Sequence, residues 1–149
     1  MTSVLVLNGP NLNLLGRRQP EVYGATTLPE IEAMCRDHVL PWGWSCACLQ
    51  SNHEGALIDA IHEAMGTHDG IVINAGGYTH TSIALMDAIA SVAIPAVEVH
   101  ISDIHARESF RHQSFIERVA VAQICGKGPK GYLEALDRLK AHLATEGMS

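Results

Sequence analysis

The sequence predicts a doubly wound α/β fold, in which one parallel β-sheet carries helices on both of its faces. Short apolar runs alternate along the chain with segments whose hydrophobic residues recur at helical spacing. The apolar runs are nearly continuous, which is typical of strands covered on both faces. The chain has 149 residues, 47 % of them hydrophobic and 17 % charged, and this length and composition fit a single globular domain over residues 1–149.

Two strands and two helices are predicted in the first half of the chain. The apolar run at residues 3–7 predicts the first strand, and residues 44–50 predict the second. Residues 27–30 (TLPE) are typical of a capping box with a proline in the first turn, so we expect a helix to begin there. Residues 51–54 (SNHE) have the same form and predict a second capped helix. The apolar stripe of that helix consists of Leu57, Ile58, Ile61 and Met65.

The second half of the chain completes the sheet. Residues 70–74, 96–100 and 119–125 predict the third, fourth and fifth strands, and residues 79–92 predict a helix. A closing helix is marked by Tyr132, Leu136, Leu139 and Leu143. Helices between the strands imply right-handed crossovers, and five strands favour a flavodoxin-like five-stranded parallel sheet. In such sheets ligands bind beyond the carboxyl ends of the strands.

Composition and charge exclude several classes of protein. The formal net charge of −6 argues against a general nucleic-acid binder, which usually has a basic surface. No apolar run approaches the roughly 20 residues of a membrane span, and no secretory leader is evident, so we expect a cytoplasmic protein. The four cysteines show no CxxC or CxxH spacing, so we expect buried, reduced thiols rather than a zinc site.

Polar residues gather after three of the predicted strands. Because parallel strands share a direction, these three clusters should meet at one edge of the sheet and form a pocket. The first cluster contains Asn8, Asn11, Asn13, Arg17, Arg18 and Tyr23. The second contains Asn74, Gly76, Gly77, Tyr78 and His80. The third contains Glu98, His100, Ser102, His105, Arg107 and Arg111.

Each cluster also has a purely structural interpretation. The Asn residues could occupy turns, and the Gly76-Gly77 pair could be a tight turn or an anion-binding loop. Glu98 lies two residues before His100 on one face of a strand, so it could orient that imidazole or pair with Arg107 or Arg111 for stability alone. The histidines lie on different elements without HxxxH or HExxH spacing, so no metal site is predicted.

The residue types in these clusters are typical of acid–base chemistry on a small, polyhydroxylated carboxylate. Arginines and backbone amides suit a carboxylate, whereas Asn and Ser suit hydroxyl groups. A Tyr beside an Arg suits a base, because the cation favours the phenolate, and a His backed by a carboxylate suits a proton donor. No Cys or Lys is obviously placed as a covalent nucleophile.

Four ordered segments of the chain form a specific pattern. They are residues 7–24 (LNGPNLNLLGRRQPEVYG), 50–59 (QSNHEGALID), 74–85 (NAGGYTHTSIAL) and 98–110 (EVHISDIHARESF). These segments resemble the type II 3-dehydroquinate dehydratases. The resemblance implies a flavodoxin-like fold and the anti elimination of water from 3-dehydroquinate, giving 3-dehydroshikimate, with no cofactor, metal or Schiff-base lysine.

The resemblance also implies a role for each matching residue. Tyr23 would be the base that removes the C2 proton, and Arg18 would hold it as a phenolate. Asn11 would position a water that stabilises the enolate intermediate. His100 would protonate the departing C1 hydroxyl, with Glu98 orienting the ring. The residues expected to bind the hydroxyls and the carboxylate of the substrate are Asn74, His80, Ile101, Ser102 and Arg111.

The resemblance further implies a homo-oligomer and a moving segment. Asp87 would project into the site of a neighbouring subunit, within trimers that assemble into a dodecamer, and residues 7–24 would be a mobile lid that carries the base. The chain departs from many members of the family at Ala75, Asp103 and Ser109, and we expect Asp103 to face outward. The role could be aromatic amino acid biosynthesis in the shikimate pathway or quinate catabolism.

Two other functions are consistent with a flavodoxin-like fold. The chain could be a non-catalytic ligand-binding module, but such a module needs neither a Tyr–Arg pair on a lid nor a Glu–His pair at a strand end. It could also be a related lyase or hydrolase that acts on another hydroxy acid.

Overall fold

The structure is a computed structural model that describes residues 1–17 and 19–146. The described chain forms one sheet of five parallel strands in the order β2-β1-β3-β4-β5, which confirms the doubly wound α/β prediction. The strands are β1 (Ser3–Asn8), β2 (Ser45–Gln50), β3 (Gly70–Asn74), β4 (Ala96–His100) and β5 (Ala122–Cys125). The α-helices are α1 (Pro20–Tyr23), α2 (Leu28–Val39), α3 (Glu54–Glu63), α4 (Ile83–Val92) and α5 (Gly131–Thr145).

The sheet separates two hydrophobic cores. Val4 and Val6 of β1 face one core, which they share with buried residues of α2 and α5. Leu5 and Leu7 face the other core, beneath α3 and α4. This alternation is expected because successive side chains of a strand point to opposite faces. The two cores hold the sheet rigid, so the ends of its strands form a fixed base for a site.

The capping box predicted at residues 27–30 is confirmed. The Thr27 side chain accepts a hydrogen bond from the Glu30 N–H, and the Glu30 carboxylate accepts one from the Thr27 N–H at 3.1 Å. Pro29 lies in the first turn, where its missing N–H costs nothing.

The capping box predicted at residues 51–54 is wrong. The helix does begin at Glu54, but its N-cap is His53, which makes no side-chain capping bond within the described residues. The Ser51 hydroxyl instead accepts from the His53 N–H at 3.0 Å, and the Glu54 carboxylate accepts from the Ser82 hydroxyl. Met65 lies beyond the end of α3 and is 55 % exposed, so it does not extend the buried stripe.

Two predicted boundaries also differ from the structure. The helix predicted at residues 79–92 begins only at Ile83, because Ser82 caps it by accepting from the Leu85 N–H, while Gly76–His80 form a separate 3₁₀-helix. The fifth strand begins at Ala122 rather than at residue 119, because the N–H groups of Val119 and Ala120 donate to the Ile116 carbonyl in a turn instead of pairing with β4.

The exits of β1 and β3 approach each other closely. A Cβ atom at Gly9 would lie 2.4 Å from the Ala75 carbonyl oxygen, so only glycine fits there. The Gly9 N–H donates to the Asn74 carbonyl at 2.8 Å and continues the pairing of the two strands past their ends. This contact fixes the start of the loop that follows β1.

The four cysteines all lie within the described residues and form no disulfide there, but the prediction of buried thiols holds fully only for Cys35, whereas Cys46, Cys48 and Cys125 are partly exposed. Burial raises the pKa of the Cys35 thiol to about 12. Cys46 and Cys48 lie on one face of β2 with their sulfurs 4.0 Å apart. Within residues 1–17 and 19–146, no helix is long and apolar enough to cross a membrane.

Candidate active site

A cavity of about 280 Å³ lies beyond the carboxyl ends of β1, β3 and β4. It lies at the switch point between β1 and β3, where doubly wound sheets bind ligands. The cavity therefore brings together the three polar clusters that the sequence placed at one edge of the sheet. The predicted site residues that line it are Asn11, Tyr23, Asn74, His80, His100, Ile101, Ser102 and Arg111.

Glu98 lies behind the cavity as a fully buried carboxylate with four hydrogen-bond donors. Its Oε2 atom is 2.5 Å from Nε2 of His100, and it also accepts from the hydroxyls of Thr79 at 2.8 Å and Ser114 at 2.7 Å. Its Oε1 atom accepts from Nε2 of Gln123 at 3.1 Å. The predicted orientation of His100 by Glu98 thus has the required geometry.

The surroundings of Glu98 keep it ionised. Burial raises the pKa of the Glu98 carboxyl, but the hydrogen bond and charge of His100, with bonds from Ser114 and Thr79, outweigh burial and lower the pKa below its ordinary value. A carboxylate can only accept, so His100 directs a protonated Nε2 to it. Nδ1 is then the ring nitrogen available to a ligand in the cavity.

Tyr23 lies at the opposite wall and contacts Arg107. Nη1 of Arg107 donates to the Tyr23 hydroxyl at 2.9 Å, and the guanidinium carbon lies 5.4 Å from the centre of the tyrosine ring. The same Nη1 atom lies 3.4 Å from the Ser102 hydroxyl. Arg18, which the resemblance pairs with Tyr23, lies outside the described residues.

Sequence reasoning placed Arg107 in the third cluster and offered it only as a possible structural partner of Glu98, whereas in the structure it contacts Tyr23. Its contact with Tyr23 joins residues 84 positions apart, so no local pattern could reveal it. Thr79, Ser114 and Gln123 were missed for the same reason, since each is ordinary in the sequence and meets Glu98 only in the folded chain.

His80 and Arg111 form a further wall of the cavity. Nδ1 of His80 donates to the Gln113 carbonyl at 2.8 Å, which leaves Nε2 for a ligand. Burial lowers the pKa of His80, and the charges of His100 and Arg111 lower it further against that hydrogen bond, so the ring is neutral at neutral pH. Nε of Arg111 lies 3.3 Å from the Glu108 carboxylate.

Ile101 and Ser102 line the cavity, and their carbonyl groups bond to a loop that contains Gly126 and Gly128. The Ile101 carbonyl accepts from Gly128 N–H, and the Ser102 carbonyl accepts from Gly126 N–H, both at 3.1 Å. Because the two groups of a trans peptide point in opposite directions, the Ser102 N–H points away from that glycine loop. The exposed Asp103 accepts from His105 N–H at 3.0 Å and does not line the cavity, which confirms its outward orientation.

Of two further predicted site residues, Asn11 lines the cavity and Asp87 does not. Asn11 has a left-handed backbone, with φ of 69°, which Asn tolerates better than most residues. Its N–H donates to Oδ1 of Asn52 at 3.0 Å, so the loop after β1 is tied to the loop after β2. Asp87 lies exposed on α4 and outside the cavity of its own chain.

The charges around the cavity suit an anion. Arg107 and Arg111 line it, and the described lining residues include no Asp or Glu. Across the described ranges, no group of three or more His, Cys, Asp or Glu side chains is placed to hold a metal ion.

Comparison with known proteins gives a consistent family. The family model "Dehydroquinase class II" matches residues 2–140. A 3-dehydroquinate dehydratase of Ruegeria pomeroyi is 68 % identical over 147 residues, covering 99 % of each chain. Another, from Dinoroseobacter shibae, is 62 % identical and covers 94 % of this chain and 93 % of the relative. The crystal structure of the type II dehydroquinase from Butyrivibrio crossotus has a TM-score of 0.91 at 48 % identity, covering 93 % of this chain and 97 % of that one.

Proposed function

The chain belongs to the class II dehydroquinases and is a hydro-lyase of the 3-dehydroquinate dehydratase type, and we propose that it forms 3-dehydroshikimate by anti elimination through an enolate. One observation carries the mechanism: a Tyr–Arg pair and a Glu–His pair lie at the same cavity. A ligand-binding module needs neither an ionised carboxylate buried behind a histidine nor a cation on a tyrosine hydroxyl. The geometry therefore favours acid–base catalysis over binding alone.

The substrate is held by its carboxylate and its hydroxyl groups. The backbone amides at Ile101 and Ser102 bind the carboxylate, since one of these N–H groups points away from the glycine loop. The side chains of Asn74, His80 and Arg111 bind the hydroxyl groups. In this proposal C2 of the ring faces Tyr23 and the C1 hydroxyl faces His100.

The first step is removal of the C2 proton by Tyr23. Arg107, with its Nη1 atom 2.9 Å from the hydroxyl, stabilises the phenolate that acts as the base. Arg18, which belongs to the same segment of residues 7–24 as Tyr23, adds a second cation in the same role. The electrons of the C2–H bond move to the C3 carbonyl and form an enolate. A water held by Asn11 donates a hydrogen bond to the enolate oxygen.

The second step is loss of the C1 hydroxyl. The enolate returns its electrons to form the C1–C2 double bond, the C1–O bond breaks, and His100 gives a proton to the departing oxygen, which leaves as water. The buried carboxylate of Glu98, 2.5 Å from His100, stabilises the protonated ring that this step requires. Proton exchange with solvent then restores Tyr23 and His100.

The part of residues 7–24 that follows β1 acts as a lid over these reactions, since Leu7 and Asn8 are buried residues of that strand. In the described part of this segment, a 3₁₀-helix at Leu12–Leu14 precedes α1, and Tyr23 is the last residue of α1. Movement of the lid admits substrate, and closure excludes bulk water from the enolate.

The working unit is an oligomer in which Asp87 completes a neighbouring site. Asp87 is exposed on α4, on a surface where Ile83 is 52 % exposed. An acid on so apolar a surface suits an interface in which it meets cations of a neighbouring cavity. We expect trimers that assemble into a dodecamer, working in the cytoplasm in aromatic amino acid biosynthesis or in quinate breakdown.

A turnover assay tests this function. The purified chain is mixed with 3-dehydroquinate, and the conjugated enone product is followed by its absorbance. Tyr23→Phe keeps the ring but removes the base, so we expect its rate to fall by about 10²–10⁴-fold. Absence of turnover by a folded parent chain, or near-normal turnover by Tyr23→Phe, would contradict the proposal.

A further inference from the structure

Tyr132 is a fully buried tyrosine whose hydroxyl joins two strand ends beneath the cavity. It lies in the first turn of α5 with 0 % of its surface exposed. Its hydroxyl donates to Oδ1 of Asn8 at 2.6 Å and accepts from Nδ2 of Asn74 at 3.0 Å. Asn8 and Asn74 are paired in register at the ends of β1 and β3. One hydroxyl thus connects α5 to both strands.

The direction of each bond in this chain follows from counting donors and acceptors. The Gly76 N–H donates to Oδ1 of Asn74 at 3.1 Å, so the Asn74 amide turns its Nδ2 towards Tyr132. The Tyr132 hydroxyl then receives one hydrogen bond and needs an acceptor for its own proton, which Oδ1 of Asn8 supplies. The remaining Nδ2 of Asn8 is buried without a partner in the part of the chain that the structure describes.

The unpartnered Asn8 nitrogen indicates which orientation of the Asn8 amide the network favours. Leaving a buried donor unpaired is costly, and turning the Asn8 amide over would pair that nitrogen with the Tyr132 oxygen. The turned amide would, however, leave the Tyr132 proton without an acceptor. Burial also raises the pKa of the Tyr132 phenol, so the hydroxyl stays protonated and keeps the same direction of bonding at working pH.

Among the three side chains of this network, Asn74 lines the cavity, whereas Tyr132 and Asn8 lie behind it. One Nδ2 hydrogen of Asn74 is committed to Tyr132, and Oδ1 is committed to Gly76. The second Nδ2 hydrogen therefore remains for a ligand. Without the Tyr132 hydroxyl, the Asn74 amide would lose one of the two hydrogen bonds that fix the orientation of its plane.

We propose that Tyr132 is a positioning residue, which holds the Asn74 amide in the orientation that presents an N–H group to a hydroxyl of the substrate. The inference rests on the proposed function, in which Asn74 binds that hydroxyl. Tyr132 acts only through Asn74, so its effect on substrate binding disappears when the Asn74 amide is absent.

A double-mutant cycle on purified chains tests this dependence. In the parent background, Tyr132→Phe raises KM for 3-dehydroquinate by about twofold to tenfold, the factor that one hydrogen bond corresponds to, and changes kcat less. Asn74→Ala raises KM as well. Adding Tyr132→Phe to Asn74→Ala leaves KM unchanged, because the orienting contact has nothing left to orient.

Two further variants separate positioning from general loss of stability. Leu143→Ala deletes a buried side chain in the last turn of the same helix, so it lowers Tm but leaves KM unchanged. Asn8→Ala removes the acceptor of the Tyr132 proton and replaces Tyr132→Phe in the cycle if that chain does not fold. An equal rise in KM in both backgrounds, or no rise in either, overturns the inference. A folded parent chain without turnover overturns the proposed function instead.

Discussion

The Glu98 carboxylate connects stability to chemistry at the scale of single residues. It is fully buried, yet hydrogen bonds and the charge of His100 hold its pKa below its ordinary value of 4.5. A carboxyl group whose pKa is lower in the folded chain than in the unfolded chain stabilises the fold at any pH above its unfolded pKa. This stabilisation is lost as the pH falls through the pKa of the folded state. The donors around Glu98 therefore stabilise the fold at neutral pH and keep this carboxylate ionised beside His100.

Removal of one of these donors should lower the free energy of unfolding by an amount that depends on pH. Ser114→Ala deletes a buried hydroxyl 2.7 Å from Oε2 of Glu98, and a hydrogen bond to a charged group contributes about 1.5–3 kcal/mol. We expect that loss in the free energy of unfolding at pH 7, measured by urea denaturation, and a smaller loss below the pKa of Glu98. Ser91→Ala, which removes an exposed hydroxyl from α4, is the control and should show a small effect at both pH values. A loss for Ser114→Ala that is equal at both pH values would contradict this account.

The predictability of the site depends on sequence separation. The Glu98–His100 pair could be predicted because two residues at i and i+2 share one face of a strand. The contact between Tyr23 and Arg107 could not, because the loop after β4 brings them together across 84 positions. The hydrogen bond between Tyr132 and Asn8 could not be predicted from a local pattern either, because it spans 124 positions.

At the scale of elements, local signals succeeded where no distant residue competed for the same atoms. The capping box at Thr27 formed because its hydroxyl and the Glu30 carboxylate bond each other. In the segment SNHE, Asn52 instead accepts from the Asn11 N–H and the Ser51 hydroxyl accepts from His53. The local bond from the His53 N–H to Ser51 and the distant bond from the Ser82 hydroxyl to Glu54 therefore replaced the predicted box, and sequence spacing alone cannot reveal the second of these.

The cap at Thr27 should affect stability without affecting catalysis. Thr27→Ala removes the N-cap of α2 and should lower the free energy of unfolding by about 1 kcal/mol. The kcat/KM for 3-dehydroquinate should stay at the parent value, because Thr27 does not line the cavity. Thr27→Ser keeps the capping hydroxyl and is the matched control for both measurements. Unchanged stability in Thr27→Ala, or a large loss of kcat/KM, would contradict this separation.

At the scale of the whole molecule, the strand order explains why one cavity collects residues from distant parts of the chain. The order β2-β1-β3-β4-β5 places the ends of β1, β3 and β4 side by side. Alternating strands and helices sufficed to predict a doubly wound parallel sheet. Asp87, which was predicted to bind substrate, is exposed and lies outside the cavity of its own chain. A site shared between subunits would account for it.

Mixing two inactive chains tests the shared site. Tyr23→Phe lacks the base and Asp87→Ala lacks the acid from the neighbour, so each chain alone should be nearly inactive. When they are coexpressed in equal amounts, random assembly in a cyclic trimer gives both residues to about a quarter of the sites. We expect the corresponding recovery of turnover, together with sedimentation as a trimer or a multiple of it. Full activity of a monomer, or of Asp87→Ala alone, would contradict the shared site.

The central claim, that Tyr23 and His100 serve separate steps, is tested most directly by isotope exchange at C2. 3-Dehydroquinate deuterated at the C2 position that reacts is incubated with His100→Ala and, in parallel, with Tyr23→Phe, and loss of deuterium is followed by mass spectrometry. The account predicts that His100→Ala releases deuterium while forming little product, because the base and its Arg107 contact are intact and only the departure of the hydroxyl is slowed. Tyr23→Phe should release neither deuterium nor water. Loss of exchange in His100→Ala as complete as that in Tyr23→Phe would contradict the assignment.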